Sequence, residues 1–250
     1  MLNFVNCSLL IVCSMFIMVD GIEGSGKSTI LEAWKEHLTN EGKTLFDLKD
    51  YWKEHGKHPE FSEMKSYDFI LTSEPSYVGI GKVIREELIK NGTSYPGRAI
   101  AEAYSLDRLI IYNKIVIPAL REGKCIIQDR GVSTSLCYQP LTDPSVSRTW
   151  VSELSGNALA LDEHRPDHLI LLQIDPERAT NRLSGRLNKQ DDAIFEKLDF
   201  QKKIAKVFAS SEYQQFFTAR GTQVHNLPAE DELAIMKERA IALLKDLLMK

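Results

Sequence analysis

Eight residues, Gly21-Ile22-Glu23-Gly24-Ser25-Gly26-Lys27-Ser28, match the pattern G-x-x-x-x-G-K-[ST] in full. These residue types suit a loop that wraps a chain of phosphates. Glycine lets successive backbone N–H groups turn inward with no Cβ in the way. A helix opening next to Thr29 adds its partial positive end. Lys27 would reach the β- and γ-phosphates, and the Ser28 hydroxyl would bind Mg²⁺. The expected ligand of Gly21 to Thr29 is a nucleoside triphosphate, and the open question is what receives its phosphate.

A phosphate loop works only between a strand and a helix, and the flanks supply both. "FIMV" precedes it and "TILEAWKEHL" follows it. Further strands are expected at "KTLFDL", "DFILT", "KCIIQD", "DHLILLQID" and "TQVHNL". Helices are expected at "GIGKVIREELIK", "RAIAEAYSLDRLIIYNKIVIPALREG" and "DELAIMKERAIALLKDLL". Alternating strand and helix predicts an α/β fold, three layers deep, with a parallel sheet covered on both faces. Ligands should gather at the carboxyl ends of the strands. Those ends fall at Asp20, Thr72, Gln128–Asp129 and Asp175, and three of the four carry a carboxylate. Residues 50–67, "DYWKEHGKHPEFSEMKSY", have no clean period and read as a surface insertion.

Composition narrows the partners. The 250 residues carry 31 basic and 35 acidic side chains, a formal charge of −4, with no long run of either sign. Neither a nucleic-acid backbone nor a membrane is expected as partner. Cys7, Cys13, Cys125 and Cys137 lack the paired spacing of a zinc site and suit free thiols in a reducing cytoplasm. The apolar run near the start is ended by Asp20, short of the roughly 20 residues that a membrane span needs. Residues 1–14 are expected to be an over-extended leader, with Met15 or Met18 as the natural start and one domain over 15–250. A guanine-nucleotide switch would need N-K-x-D, but "NKIV" at 113–116 lacks the Asp. A motor ATPase usually has paired carboxylates after its second motif strand, whereas "CIIQDRG" follows Asp129 with Arg130. A cation there suits a second anionic ligand better than a water.

Five segments in order, "FIMVDGIEGSGKST", "TSEPSYVGIGKVIREELI", "AEAYSLDRLIIYNKIVIPAL", "QDRGVSTSLCYQ" and "RPDHLILLQIDPERATNRLSGR", resemble the thymidylate kinases. These are P-loop enzymes that phosphorylate dTMP with ATP. The resemblance implies a P-loop NTPase fold with a small mobile lid over about 178–196, Mg²⁺ and ATP as cofactor and donor, dTMP as acceptor, and a homodimer packed through helices that include the long 98–121 stretch. It places Tyr104 as the aromatic that stacks on thymine and Arg108, four residues on, at the base edge. Asp129 resembles the Mg²⁺-side carboxylate and Arg130 the arginine that binds the acceptor phosphate. Ser135 matches a polar residue that contacts the base, and Tyr138 the aromatic against the deoxyribose, with Gln139 ending the motif. Glu23 occupies the site of a carboxylate that holds the acceptor's 3′-hydroxyl, and Glu74 is retained on the acceptor side. The variable loop positions hold no arginine, so Arg182 and Arg186, in "RATNRLSGRLNKQDD", are expected to supply the transition-state charge.

Three positions depart from that pattern. Ser73 stands where an arginine normally helps bind the acceptor phosphate, Gly131 replaces a tyrosine, and the lid's usual Asp-Arg pair is blurred into "QDDAIFE". Two other readings stay open on these residues. One is a deoxynucleoside kinase with Glu74 as the base for a 5′-hydroxyl acceptor. The other is a non-catalytic nucleotide-binding regulator.

Overall fold

The computed structural model describes residues 14–184 and 197–249. Six strands form one sheet in the order β2-β3-β4-β1-β5-β6, and every neighbouring pair is parallel. They are β1 (Met15–Gly21), β2 (Leu45–Asp47), β3 (Phe69–Ser73), β4 (Cys125–Asp129), β5 (His168–Gln173) and β6 (Gln223–Pro228), each within two residues of its expected place. β1 is buried from Phe16 to Gly21, as a central strand covered on both faces must be. Its partners are β4 and β5, with Val19 level with Asp129 on one side and Ile170 on the other. β3 continues that row by placing Ser73 level with Asp129. The ends of β1, β3 and β4 therefore open onto one edge.

Helices cover both faces. The helix after the phosphate loop, Lys27–Asn40, buries Ile30, Ala33, Trp34 and Leu38. It is locked to the final helix, Leu233–Leu248, by a hydrogen bond from Trp34 Nε1 to the Ala240 carbonyl at 2.7 Å. The expected long helix runs as Gly97–Ile111, a widened turn over Tyr112–Val116, and Ile117–Arg121. Pro118 explains the interruption: it has no N–H to return to the preceding turn.

Residues 50–67 carry more structure than a bare excursion. Asp47 caps the helix Leu48–His55 by accepting from the Lys49 N–H, and Gly56 ends it in the left-handed region at φ 64. A second short helix, Phe61–Met64, follows. Leu48, Trp52 and Met64 reach the core, while the charged residues between them face solvent. The segment thus contributes two core side chains, Trp52 and Met64, to the domain it interrupts.

The expected leader falls almost wholly outside the described residues. So does the larger part of the expected lid, including Arg186 and Lys189; its first part is the helix Pro176–Ser184. Among the described residues no helix is long and apolar enough to cross a membrane.

Candidate active site

The phosphate loop is fitted closely to its surroundings. Gly24 adopts φ +74, and a Cβ there would come within 2.3 Å of the Ala179 carbonyl, so the helix Pro176–Ser184 rests directly on the loop. Only glycine permits both the conformation and the approach. The Glu23 N–H donates to Gln201 Oε1 at 2.9 Å, which ties the loop to the helix Leu198–Ala209. Lys27 folds its ammonium back onto the carbonyls of Gly21 and Ile22, at 3.0 and 2.9 Å. Burial and, after it, the nearby Arg130 lower the Lys27 pKa to about 8. The amine therefore sits on the ring of carbonyls at the rim of the space where phosphates would lie.

A second charged set joins the ends of β1 and β4. Arg130 holds φ 63, unusual for a residue with a side chain. Its guanidinium bridges Asp20, at 3.3 Å, and Glu23, with the Tyr138 ring 5.7 Å away. Asp20 is fully buried and accepts from the Gly21 N–H, Ser133 Oγ, Thr134 Oγ1 and Arg130. A buried carboxylate needs this many donors, and it fixes where Arg130 points.

The acceptor side is built around an ion pair. Glu74, at the end of β3, meets Arg108 at 2.5 Å, and both side chains are almost completely buried. Arg108 also donates to Ser135 Oγ at 3.1 Å and to Asn157, while Glu74 accepts from Gln128 at 3.0 Å. Burial, partly offset by Arg108, pushes the Glu74 carboxyl up to about 7. Asp107, the residue before Arg108, accepts from the Ser76 N–H and hydroxyl, each at 2.7 Å, and so pins the segment after Pro75. Arg85 donates to the carbonyls of Pro75 and Ser76 and lies 4.0 Å over the Tyr77 ring.

One cavity of about 790 Å³ joins these parts. Of the expected residues, Glu23, Gly24, Gly26, Lys27, Ser28, Glu74, Tyr104, Asp129, Arg130, Ser135, Tyr138 and Gln139 line it. Gly21 ends β1, Ile22 and Ser25 lie in the loop behind, and Thr29 is in the first turn of the helix that Lys27 opens. Arg108 is buried beneath the wall, where it positions Glu74 and Ser135. Arg182 is not part of the lining: its guanidinium holds the carbonyls of Ala229 and Asp231, after β6. The structure also brings in Arg85, Lys49 and Thr134 as lining residues and Asp20 and Gln201 as supports. Of these, only Asp20 carried a signal in the sequence, as a carboxylate at a strand end.

The residues fit a magnesium ion that arrives with phosphate. Asp129 Oδ1 is buried with no hydrogen-bond partner, and Ser28 is exposed at the loop's end. Among the described residues there is no cluster of three His, Cys, Asp or Glu that could hold a metal. A single carboxylate and a hydroxyl suit Mg²⁺, which takes its remaining ligands from phosphate oxygens and water.

A parallel sheet whose first strand runs into a glycine loop and a helix, with a charged cavity at the strand ends, defines a P-loop nucleotide-binding protein. The family model for thymidylate kinase matches residues 60–238, a span that starts beyond the phosphate loop. The chain is 30% identical over 198 residues to the probable thymidylate kinase of Thermococcus onnurineus, an alignment covering 76% of this chain and 80% of that one. It is 29% identical over 192 residues to the thymidylate kinase of Clostridium novyi, covering 76% and 80%. For the thymidylate kinase of Bacillus velezensis the identity is 26% over 230 residues, covering 90% and 95%. The chain belongs to the thymidylate kinase family.

Proposed function

We propose that the chain transfers the γ-phosphate of ATP to dTMP, giving dTDP and ADP. The observation that carries this reading is the continuity of the cavity, in which Lys27 and Ser28 of the phosphate loop share one space with Glu74, Tyr104, Tyr138 and Gln139. A monophosphate has a second pKa near ~6 and arrives as a dianion. Its oxygen can attack the γ-phosphorus while the bond to the ADP oxygen breaks, with no general base. Catalysis then consists of positioning and charge stabilisation. The loop amides and Lys27 hold the donor, and Arg130 turns from Glu23 towards the acceptor phosphate, which frees Glu23 for the 3′-hydroxyl. Tyr104 stacks on the base, Ser135 and Gln139 meet its polar edge, and Tyr138 packs against C2′ and disfavours a ribose. Mg²⁺, held by Ser28 and Asp129, would neutralise phosphate charge. Arg182 and Arg186 supply the transition-state cations, and Arg182 must leave the Ala229 and Asp231 carbonyls to do so. A homodimer through the Gly97–Ile111 helix and a cytoplasmic setting, which suits the buried thiol of Cys137, belong to the same proposal.

The competing acceptor, a nucleoside, would need a base, and Glu74 near pKa 7 is the group for it. Its two oxygens are already engaged by Gln128 and Arg108, which favours the monophosphate. The test is ADP release from Mg-ATP with dTMP, dUMP, UMP, dCMP, AMP, dGMP, thymidine and no acceptor. Preferential turnover of dTMP is expected. Turnover of thymidine but not dTMP would replace this reading with a nucleoside kinase, and equal ADP release in the blank would make the chain a hydrolase.

A further inference from the structure

The two helices that carry the base site run along one groove in opposite directions. In Gly97–Ile111 the positions 97, 100 and 104 fall on one face, and in Val132–Thr142 so do 135, 139 and 142. All six residues line the main cavity. The helices are joined at one end by Arg108, which donates to Ser135 Oγ at 3.1 Å. At the other end the Gly97 N–H donates to Asp143 Oδ2, also at 3.1 Å. With a rise of about 1.5 Å per residue, Ile100 lies about 6 Å along its helix from Tyr104, and Thr142 about 10 Å along its own from Ser135. The groove therefore continues a full turn past the residues assigned to the base.

A second cavity, of about 260 Å³, opens at that end. It shares Gly97, Ile100 and Thr142 with the main cavity, and Leu88, Tyr95 and Pro144 add apolar wall. A liquid water occupies about 30 Å³, so this space holds several and exceeds what one methyl group fills. Among the described residues no lysine or arginine lines it, and Asp143 brings a negative charge. It suits an uncharged apolar group and not a phosphate.

The acceptor assigned above meets this cavity with one edge of its base. A pyrimidine whose sugar lies against Tyr138 and whose ring stacks on Tyr104 directs C4 and C5 along the groove, away from the glycosidic nitrogen. Ser135 and Gln139 take the polar atoms, which leaves C5 as the position that can carry a group onward. We infer that the second cavity is a subsite for the C5 substituent of the acceptor base, so that the chain accepts deoxyuridine monophosphates whose C5 group is uncharged and longer than methyl. This rests on the phosphotransferase reading above. A pocket that ended at the methyl group would instead reject each added carbon by roughly tenfold or more.

The test compares dTMP with 5-propynyl-dUMP, both in phosphate transfer from Mg-ATP and in calorimetric binding without ATP. The proteins are the unaltered chain, Thr142→Phe, Thr142→Ser and Tyr95→Ala. Thr142 is exposed and Tyr95 is 40% exposed, so neither change disturbs the core. In the unaltered chain kcat/KM for the propynyl compound should fall within about threefold of that for dTMP. Thr142→Phe, which puts a ring at the junction of the cavities, should lower it about tenfold or more and leave dTMP within about twofold. Thr142→Ser should behave as the unaltered chain. Tyr95→Ala, which strips one wall, should weaken propynyl binding about threefold and spare dTMP. Rejection of the propynyl compound by the unaltered chain overturns the subsite, as does acceptance that neither Thr142→Phe nor Tyr95→Ala changes. Equal losses for both compounds also overturn it, because the altered residues would then belong to the base site itself. Turnover of dTMP with the propynyl compound rejected removes the subsite and keeps the kinase. Propynyl binding that depends on Thr142 and Tyr95, without turnover of either compound, does the reverse.

Discussion

Lys27 carries a positive charge into surroundings that penalise it, and that has a measurable cost. In the free protein its pKa falls to about 8 from 10.5. Between those values the unfolded chain keeps a proton that the folded chain has released, so folding stability should rise with pH across that window. Lys27→Met should abolish that rise and also phosphate transfer. Denaturant titrations of both proteins from pH 8 to 10.5 check this, and parallel curves would show that Lys27 does not titrate in that range. Arg186 tests the other end of the charge system. Arg186→Ala should lower kcat by roughly a hundredfold or more while moving the dTMP KM little, as removal of a transition-state arginine does. Full activity in that variant would remove it from the mechanism. The residues legible in the sequence were those inside local motifs, such as Lys27, Ser28, Asp129 and Arg130. Gln201 and Arg85 were not, because their roles depend on contacts between segments far apart in the chain. The Glu23–Gln201 bond spans 178 positions.

At the scale of elements, the acceptor side depends on how closely two helices approach. A Cβ on Gly156, in the short helix Ser155–Ala158, would lie 2.0 Å from the Ser105 carbonyl in Gly97–Ile111. The next residue, Asn157, accepts from Arg108. Gly156→Ala should therefore push the helices apart, cost about 2–3 kcal/mol of stability, and raise the dTMP KM through Arg108. Urea midpoints together with steady-state kinetics check both effects, and an unchanged midpoint would mean that the helices yield without cost. All six strands were legible because each is a short apolar run bounded by polar turns. Residues 148–163 were not, since Val151, Leu154, Ala160 and Leu161 are buried from several short turns with no sustained period. The inserted segment was misleading for a similar reason: its buried Trp52 and Met64 stand twelve residues apart among charged neighbours.

For the whole molecule, the proposed dimer has its own test. Leu106 is 45% exposed on the Gly97–Ile111 helix. If that face joins two copies, Leu106→Glu should shift sedimentation from dimer towards monomer, because an unpaired charge is costly to bury. A monomeric unaltered chain would refute the dimer outright. The sheet order has a consequence during synthesis. β1 is made before its neighbours β4 and β5, and its first partner, Cys125, follows more than a hundred residues later. At ordinary ribosome speeds the most apolar strand would wait on the order of ten seconds for its partners. Over that interval β1 is a bare hydrophobic edge, the kind of segment that chaperones hold, so the yield of native protein in a cell should depend on translation rate and chaperone supply more than on final stability.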